Sequence, residues 1–89
     1  MYAEASPEYE RGNREGYKYA LANYRLGYGP SIPDLSKTNQ SYHCGYVEGF
    51  RAGANAAIDR EYPGLIRLSL RLDGKYDLEY KDGRKEISR

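Results

Sequence analysis

Residues 41–57 read SYHCGYVEGFRAGANAA, and glycine returns in them at every fourth position: Gly45, Gly49 and Gly53. The stretch is rich in alanine and free of proline, so it reads as helix. Each glycine inside a helix costs ~1 kcal/mol relative to alanine, and three cost ~3 kcal/mol, a large part of a small domain's stability. A helix that keeps them brings its backbone close to something that a Cβ would block. The stretch has an earlier echo. Tyr9 to Tyr17, YERGNREGY, matches Tyr42 to Phe50, YHCGYVEGF, as Y-x-x-G-x-x-E-G-[YF] at an offset of 33 residues. At ~100° per residue, Tyr9, Gly12, Gly16, Ala20 and Gly27 form one small-residue stripe. Gly45, Gly49, Gly53 and Ala56 form another, flanked by Tyr46, Phe50 and Ala57. The pattern predicts two helices crossing almost backbone to backbone, antiparallel, as small-xxx-small faces do in membranes. The same surfaces would serve equally between two chains, giving a homodimer. Two copies do not by themselves make a solenoid, which needs at least three.

The surrounding sequence supplies the ends of these elements. Ser6-Pro7-Glu8 is a helix start: a capping hydroxyl, a proline at the first helical position and an acid at the positive end of the dipole. The first helix is expected over residues 7–28, stopping at Gly29-Pro30. Residues 29–40, GPSIPDLSKTNQ, form a connector with two prolines, held down by Ile32 and Leu35. The second helix is expected over residues 41–62, capped from within Thr38 to Ser41. Beyond Tyr62-Pro63-Gly64 the period changes to two. Ile66, Leu68, Leu70 and Leu72 alternate with Arg67, Ser69 and Arg71; Tyr76, Leu78 and Tyr80 alternate with Asp77, Glu79 and Lys81. A hairpin over residues 65–81 follows. Pairing Leu72 with Tyr76, Leu70 with Leu78 and Leu68 with Tyr80 keeps one apolar face and sets Arg71 across from Asp77, through a three-residue loop with a glycine bulge. Asp82-Gly83 repeats the turn signal, so residues 84–88 offer a third strand. A second apolar strip on the later helix, Val47, Ala54 and Ile58, is available to the hairpin's leucine face. The fold class is α+β within a single domain spanning residues 1–89.

Composition bounds what such a fold can do. Eight Leu, four Ile, one Val and one Phe are few for the core of an 89-residue chain, while eleven tyrosines bring apolar area with a polar tip. Fourteen basic against thirteen acidic residues give a net charge of +1, with no global pull towards nucleic acid or anionic membrane. The balance is uneven: residues 1–10 carry three acids and no base, whereas residues 11–28 carry Arg11, Arg14, Lys18 and Arg25 against Glu15 alone. One cysteine excludes an internal disulfide and fits a reducing cytoplasm. MYAEASPEYE has neither a basic n-region nor an apolar run, so no signal peptide is expected, and no apolar run is long enough to span a membrane.

The segments RGNREGYKYALAN and YVEGFRAGANAA, with a proline-containing connector between them, resemble the ribosome modulation factor family over roughly residues 11–57. These are small bacterial helical-hairpin proteins with a glycine–aromatic pair in each helix. The correspondence falls on Gly16-Tyr17 and on Tyr46, Gly49, Phe50 and Arg51. The resemblance implies a helical hairpin and, as function, binding to ribosomal RNA on the small subunit with promotion of ribosome dimerisation and hibernation. The chain departs from the family in lacking a tryptophan in the second helix, in its longer connector, in the added hairpin and in its near-neutral charge.

Catalytic chemistry finds little to stand on. His43 and Cys44 are adjacent, hence ~100° apart on a helix, and no third group is placed to orient them. One His and one Cys are too few for a metal site within a chain, and the glycine spacings lack the context of a phosphate loop. Glu15 and Glu48 hold equivalent repeat positions but lie off the glycine stripes, which suits solvated side chains. No enzyme activity, cofactor or metal is expected. The positive signal is Arg11, Arg14, Lys18 and Arg25 in one narrow angular band, with Tyr17, Tyr24 and Tyr28 beside it. Arg and Tyr are the types enriched at binding hot spots. The expected function is therefore a non-enzymatic protein-binding module, an inhibitor or modulator of a larger assembly such as phages and mobile elements carry. The alternative is an RNA- or ribosome-associated factor using the cations for phosphates and the tyrosines for stacking.

Overall fold

The computed structural model describes residues 6–88, in the order α1 (Pro7–Asn23), α2 (Gln40–Glu61), β1 (Leu65–Leu70), β2 (Tyr76–Tyr80) and β3 (Lys85–Ile87). The class is α+β. The chain divides into two compact units at Ile58/Asp59, within the last turn of α2.

In the first unit, α1 opens on Ser6, whose Oγ accepts the Tyr9 amide at 3.2 Å, with Pro7 at the first helical position. It ends at Asn23 rather than at Tyr28. Tyr24 is already extended (φ −75°, ψ 135°), and the Asn23 side-chain amide donates to the Tyr19 carbonyl at 2.9 Å, closing the last turn. Residues 25–29 then form a tight turn in which Arg25 bridges Gly29, with Gly27 (φ 83°) and Gly29 (φ 73°) in left-handed backbone. The helical side-chain pattern continues through this turn, but the two glycines permit a reversal instead. Leu35 from the connector packs on the core, while Ile32 is exposed. Asn39 begins α2: its Oδ1 accepts the Ser41 amide at 2.8 Å and the Tyr42 amide at 3.2 Å.

The glycine stripes meet within the chain, as one of the two expected arrangements has it. A Cβ built on Gly12 would overlap the Tyr42 carbonyl oxygen and lie 2.9 Å from the Tyr46 nitrogen; one on Gly16 would overlap the Tyr46 carbonyl oxygen. Reciprocally, Gly45 faces the Tyr9 carbonyl, Gly49 the Asn13 carbonyl and Gly53 the Tyr17 carbonyl. Each glycine thus aims a Cα–H at a backbone oxygen of the other helix, a contact worth roughly 0.5–1 kcal/mol and comparable to the helix cost of the glycine itself.

These contacts correct the direction of the crossing. As α1 advances from Tyr9 to Asn13 to Tyr17, its partner in α2 advances from Gly45 to Gly49 to Gly53, so the helices run parallel, not antiparallel. The contacts follow the 33-residue repeat. Gly12 sits over Tyr42 and Tyr46, and Gly45, its repeat equivalent, sits over Tyr9 and Asn13, their equivalents. This exchange is a pseudo-twofold; a twofold across the helices would pair the same repeats antiparallel, and it is the contacts advancing together that set the axis along them. The connector is long enough to allow it. Seventeen residues of α1 rise about 25 Å at 1.5 Å each, and the sixteen residues from Tyr24 to Asn39 can reach roughly 50 Å. Around the crossing, Ala20, Tyr46, Phe50 and Ala54 form the core, with Tyr24, Tyr42 and Leu35 packed against it.

The second unit is a three-stranded antiparallel sheet in the order β1-β2-β3. Its first loop has three residues and a glycine bulge as expected, but sits one residue earlier: Leu72-Asp73-Gly74, with the Arg71 amide donating to the Lys75 carbonyl at 2.8 Å and Gly74 at φ 82°. The register therefore shifts by two, to Leu70 with Tyr76 and Leu68 with Leu78. A two-residue slip keeps every side chain on its face, so alternation alone does not distinguish the registers. Asp73 decides it, because its Oδ1 accepts the Lys75 amide at 3.0 Å and fixes the turn. Lys81-Asp82-Gly83 repeats this geometry bond for bond: Tyr80 amide to Arg84 carbonyl at 2.9 Å, Arg84 amide to Asp82 Oδ1 at 3.0 Å, Gly83 at φ 88°. Arg71 still reaches Asp77, diagonally, at 3.0 Å. Leu78 and Tyr80 are buried, whereas the β1 row of Ile66, Leu68 and Leu70, with Leu72 beyond it, is exposed.

Candidate functional site

Gly12, Gly16 and Ala20 turn one side of α1 towards α2 and are buried there, so the opposite side is left to solvent. Arg11, Arg14 and Lys18 occupy that side and are all exposed. At 1.5 Å per residue they span about 10 Å along the helix. Arg14 and Lys18 make no hydrogen bond or ion pair among the described residues. Arg11 is held: its guanidinium lies over the Tyr42 ring, 4.7 Å from the centroid.

That contact belongs to a small network joining the two helices. The Tyr42 hydroxyl donates to Glu15 Oε1 at 2.5 Å, so Glu15 is not simply solvated. The hydrogen bond to Glu15, with burial and the Glu15 charge in support and Arg11 in opposition, pushes the Tyr42 hydroxyl up to about 12 from its ordinary 10.0. Tyr42 in turn rests against Tyr46 with ring centroids 5.9 Å apart. Arg11 and Glu15, one turn apart, are legible in the sequence as a charge pair; their convergence on Tyr42 depends on the parallel crossing.

The other four expected site residues divide. Tyr17 stands beside the cations, partly exposed. Tyr24 is half-buried with its ring edge-on to Phe50, centroids 6.2 Å apart, so it serves the core more than a docking surface. Arg25 and Tyr28 lie outside α1, in the turn that follows. Arg25 is exposed and donates to the Tyr24 carbonyl at 2.9 Å, and Tyr28 is 83 % exposed. The expected seven-residue stripe is thus a helical row of Arg11, Arg14, Tyr17 and Lys18, followed by a turn presenting Arg25 and Tyr28.

Other reactive groups lie elsewhere. His43 and Cys44 line an open hollow on α2 with Glu48 and Arg51, while Glu15 is taken up by Tyr42; the two repeat glutamates do not share a cleft. Among the described residues no group of three or more His, Cys, Asp or Glu is placed to hold a metal, and no helix is long and apolar enough to cross a membrane. No family model, curated protein or solved structure matches the chain.

Proposed function

We propose that this chain is a small non-enzymatic protein-binding module of the cytoplasm, inhibiting or modulating a larger assembly in the manner of small proteins carried by phages and other mobile elements. The observation that carries the reading is the pair Arg14 and Lys18, exposed and without an intramolecular partner among the described residues, on the side of α1 opposite the glycine crossing and next to Tyr17. Cations held on a rigid helix beside an aromatic suit an acidic protein surface, where Arg and Tyr act as anchors. Arg25 and Tyr28 extend the surface into the following turn.

A second reading, a ribosome- or RNA-associated factor, draws on the same row. Arg11, Arg14 and Lys18 suit successive phosphates and Tyr17 a stacked base, in keeping with the resemblance of residues 11–57 to the ribosome modulation factor family.

The test is affinity capture of the tagged chain from bacterial lysate with and without nuclease, followed by titration of the purified partner against the chain and its Arg14→Glu/Lys18→Glu variant. The expected result is a protein that survives nuclease, binds with weak salt dependence and is lost in the variant while the variant's unfolding midpoint stays put. Ribosomal RNA recovered only without nuclease, with steep salt dependence, would replace the first reading by the second. A partner indifferent to the double substitution would remove the α1 row from either.

A further inference from the structure

The sheet has two edges, and they are built differently. The β3 edge is guarded: Lys85–Ile87 is three residues long and carries adjacent charges, two of the usual devices against strand-to-strand association. The β1 edge has neither lysine nor proline within Leu65–Leu70, and its irregularity is confined to the Leu65/Arg67 end. Hydrogen bonding alternates along an antiparallel pair. Since Arg71 bonds to Lys75, the next pair bonded in that way is Ser69 with Asp77, and the backbone N–H and C=O of Leu68 and Leu70 point away from β2. The side chains of the same residues are exposed, Leu68 at 38 % and Leu70 at 70 %, with Ile66 at 62 % beside them.

We infer that β1 pairs with β1 of a second copy of this chain, antiparallel about a twofold axis at Leu68, joining two three-stranded sheets into one of six. The charges along the edge suit a second copy in that register. Arg71 is neutralised within its own sheet by Asp73 at 3.2 Å and Asp77 at 3.0 Å, which leaves Arg67, its side chain 74 % exposed and 3.9 Å from Glu79, as the one charge of the strand that a second copy must not oppose with its own. A twofold at Leu68 sets Arg67 across from Ser69 of the other copy and Ile66, at the irregular end of the strand, across from Leu70. Apolar faces apolar and no like charges meet. A twofold one residue on, at Ser69, would set Arg67 against Arg71 on both sides. The interface is isologous and closes on itself, which stops growth at the dimer because the remaining β3 edges are guarded.

Sedimentation velocity from micromolar to millimolar concentration reads the mass directly. The expected result is a rise from the 10.2 kDa chain mass towards twice that value, with Leu70→Lys and Leu70→Pro both holding the monomer mass. Leu70→Pro removes an amide that β2 does not use, as edge positions tolerate. Amide exchange on the unmodified chain tests the same point without substitution: Leu68 and Leu70 gain protection as concentration rises. A monomer at millimolar concentration, a dimer that survives both substitutions, or Leu68 and Leu70 exchange rates independent of concentration would each overturn the inference.

Discussion

Tyr42 shows how much one side chain can carry when two helices meet closely. It caps no element and sits in no cleft, yet it stacks under Arg11, donates to Glu15 and leans on Tyr46. Its raised hydroxyl pKa gives a pH signature. Between pH 10 and about 12 the folded chain keeps a proton that the unfolded chain has lost, so the stability this group contributes is full below pH 10 and disappears as pH rises through about 12. Denaturant titrations across that window are expected to show a steeper loss for the natural chain than for Tyr42→Phe. Tyr46 and Tyr80, both raised chiefly by burial, supply the slope that the variant retains. Below pH 10 the same substitution costs about 1 kcal/mol, the usual net value of a hydrogen bond. Little of this was legible. Sequence spacing placed Arg11 and Glu15 one turn apart, but Tyr42 is 27 residues from Glu15, and only the crossing brings it there.

At the scale of elements, the sequence was most informative where a local rule has one solution and least where it has two. Ser6 and Asn39 start their helices and Asp73-Gly74 and Asp82-Gly83 reverse the chain because each supplies a backbone partner or a left-handed residue that its neighbours lack. The hairpin register was undetermined because LIRLSLRLDGKYDLEY keeps its faces under a two-residue slip, and the turn's own hydrogen bonds chose. The end of α1 was missed because Tyr24 and Tyr28 continue a helical pattern, while Gly27 and Gly29 make the reversal possible. With it, the expected basic stripe broke into a helical part and a turn. The twin turns give a paired prediction. Gly74→Ala and Gly83→Ala each force a Cβ into left-handed backbone, where nothing else lies within 4 Å of either, so each is expected to lose roughly 1–2 kcal/mol in thermal unfolding, and by similar amounts. A large difference between the two would mean that one turn does not have the geometry described.

For the molecule as a whole, the question set by composition is how a chain with so few aliphatic residues holds together. Only eight hydrophobic side chains are buried among the described residues, three of them alanines. In the helical unit, backbone takes the place of missing side chains: five glycines let two helices share carbonyl and Cα–H contacts along a parallel, pseudo-twofold crossing. The close crossing was legible from the i, i+4 glycines. Its direction was not, because a direct repeat is satisfied by a twofold along the helices and by one across them, and the contacts alone choose between the two. The crossing also fixes which side of α1 faces outward, and with it the Arg11, Arg14, Tyr17 and Lys18 row. Gly49→Ala tests this most directly, by thermal and denaturant unfolding of the full chain. In an ordinary helix the change would stabilise by ~1 kcal/mol. Here the new Cβ would overlap the Asn13 carbonyl oxygen and lie 2.7 Å from its carbon, and backbone cannot rotate aside. The expected result is a net loss of about 2 kcal/mol or more, in the range of overpacked sites; an unfolding midpoint equal to or above that of the natural chain would contradict the crossing.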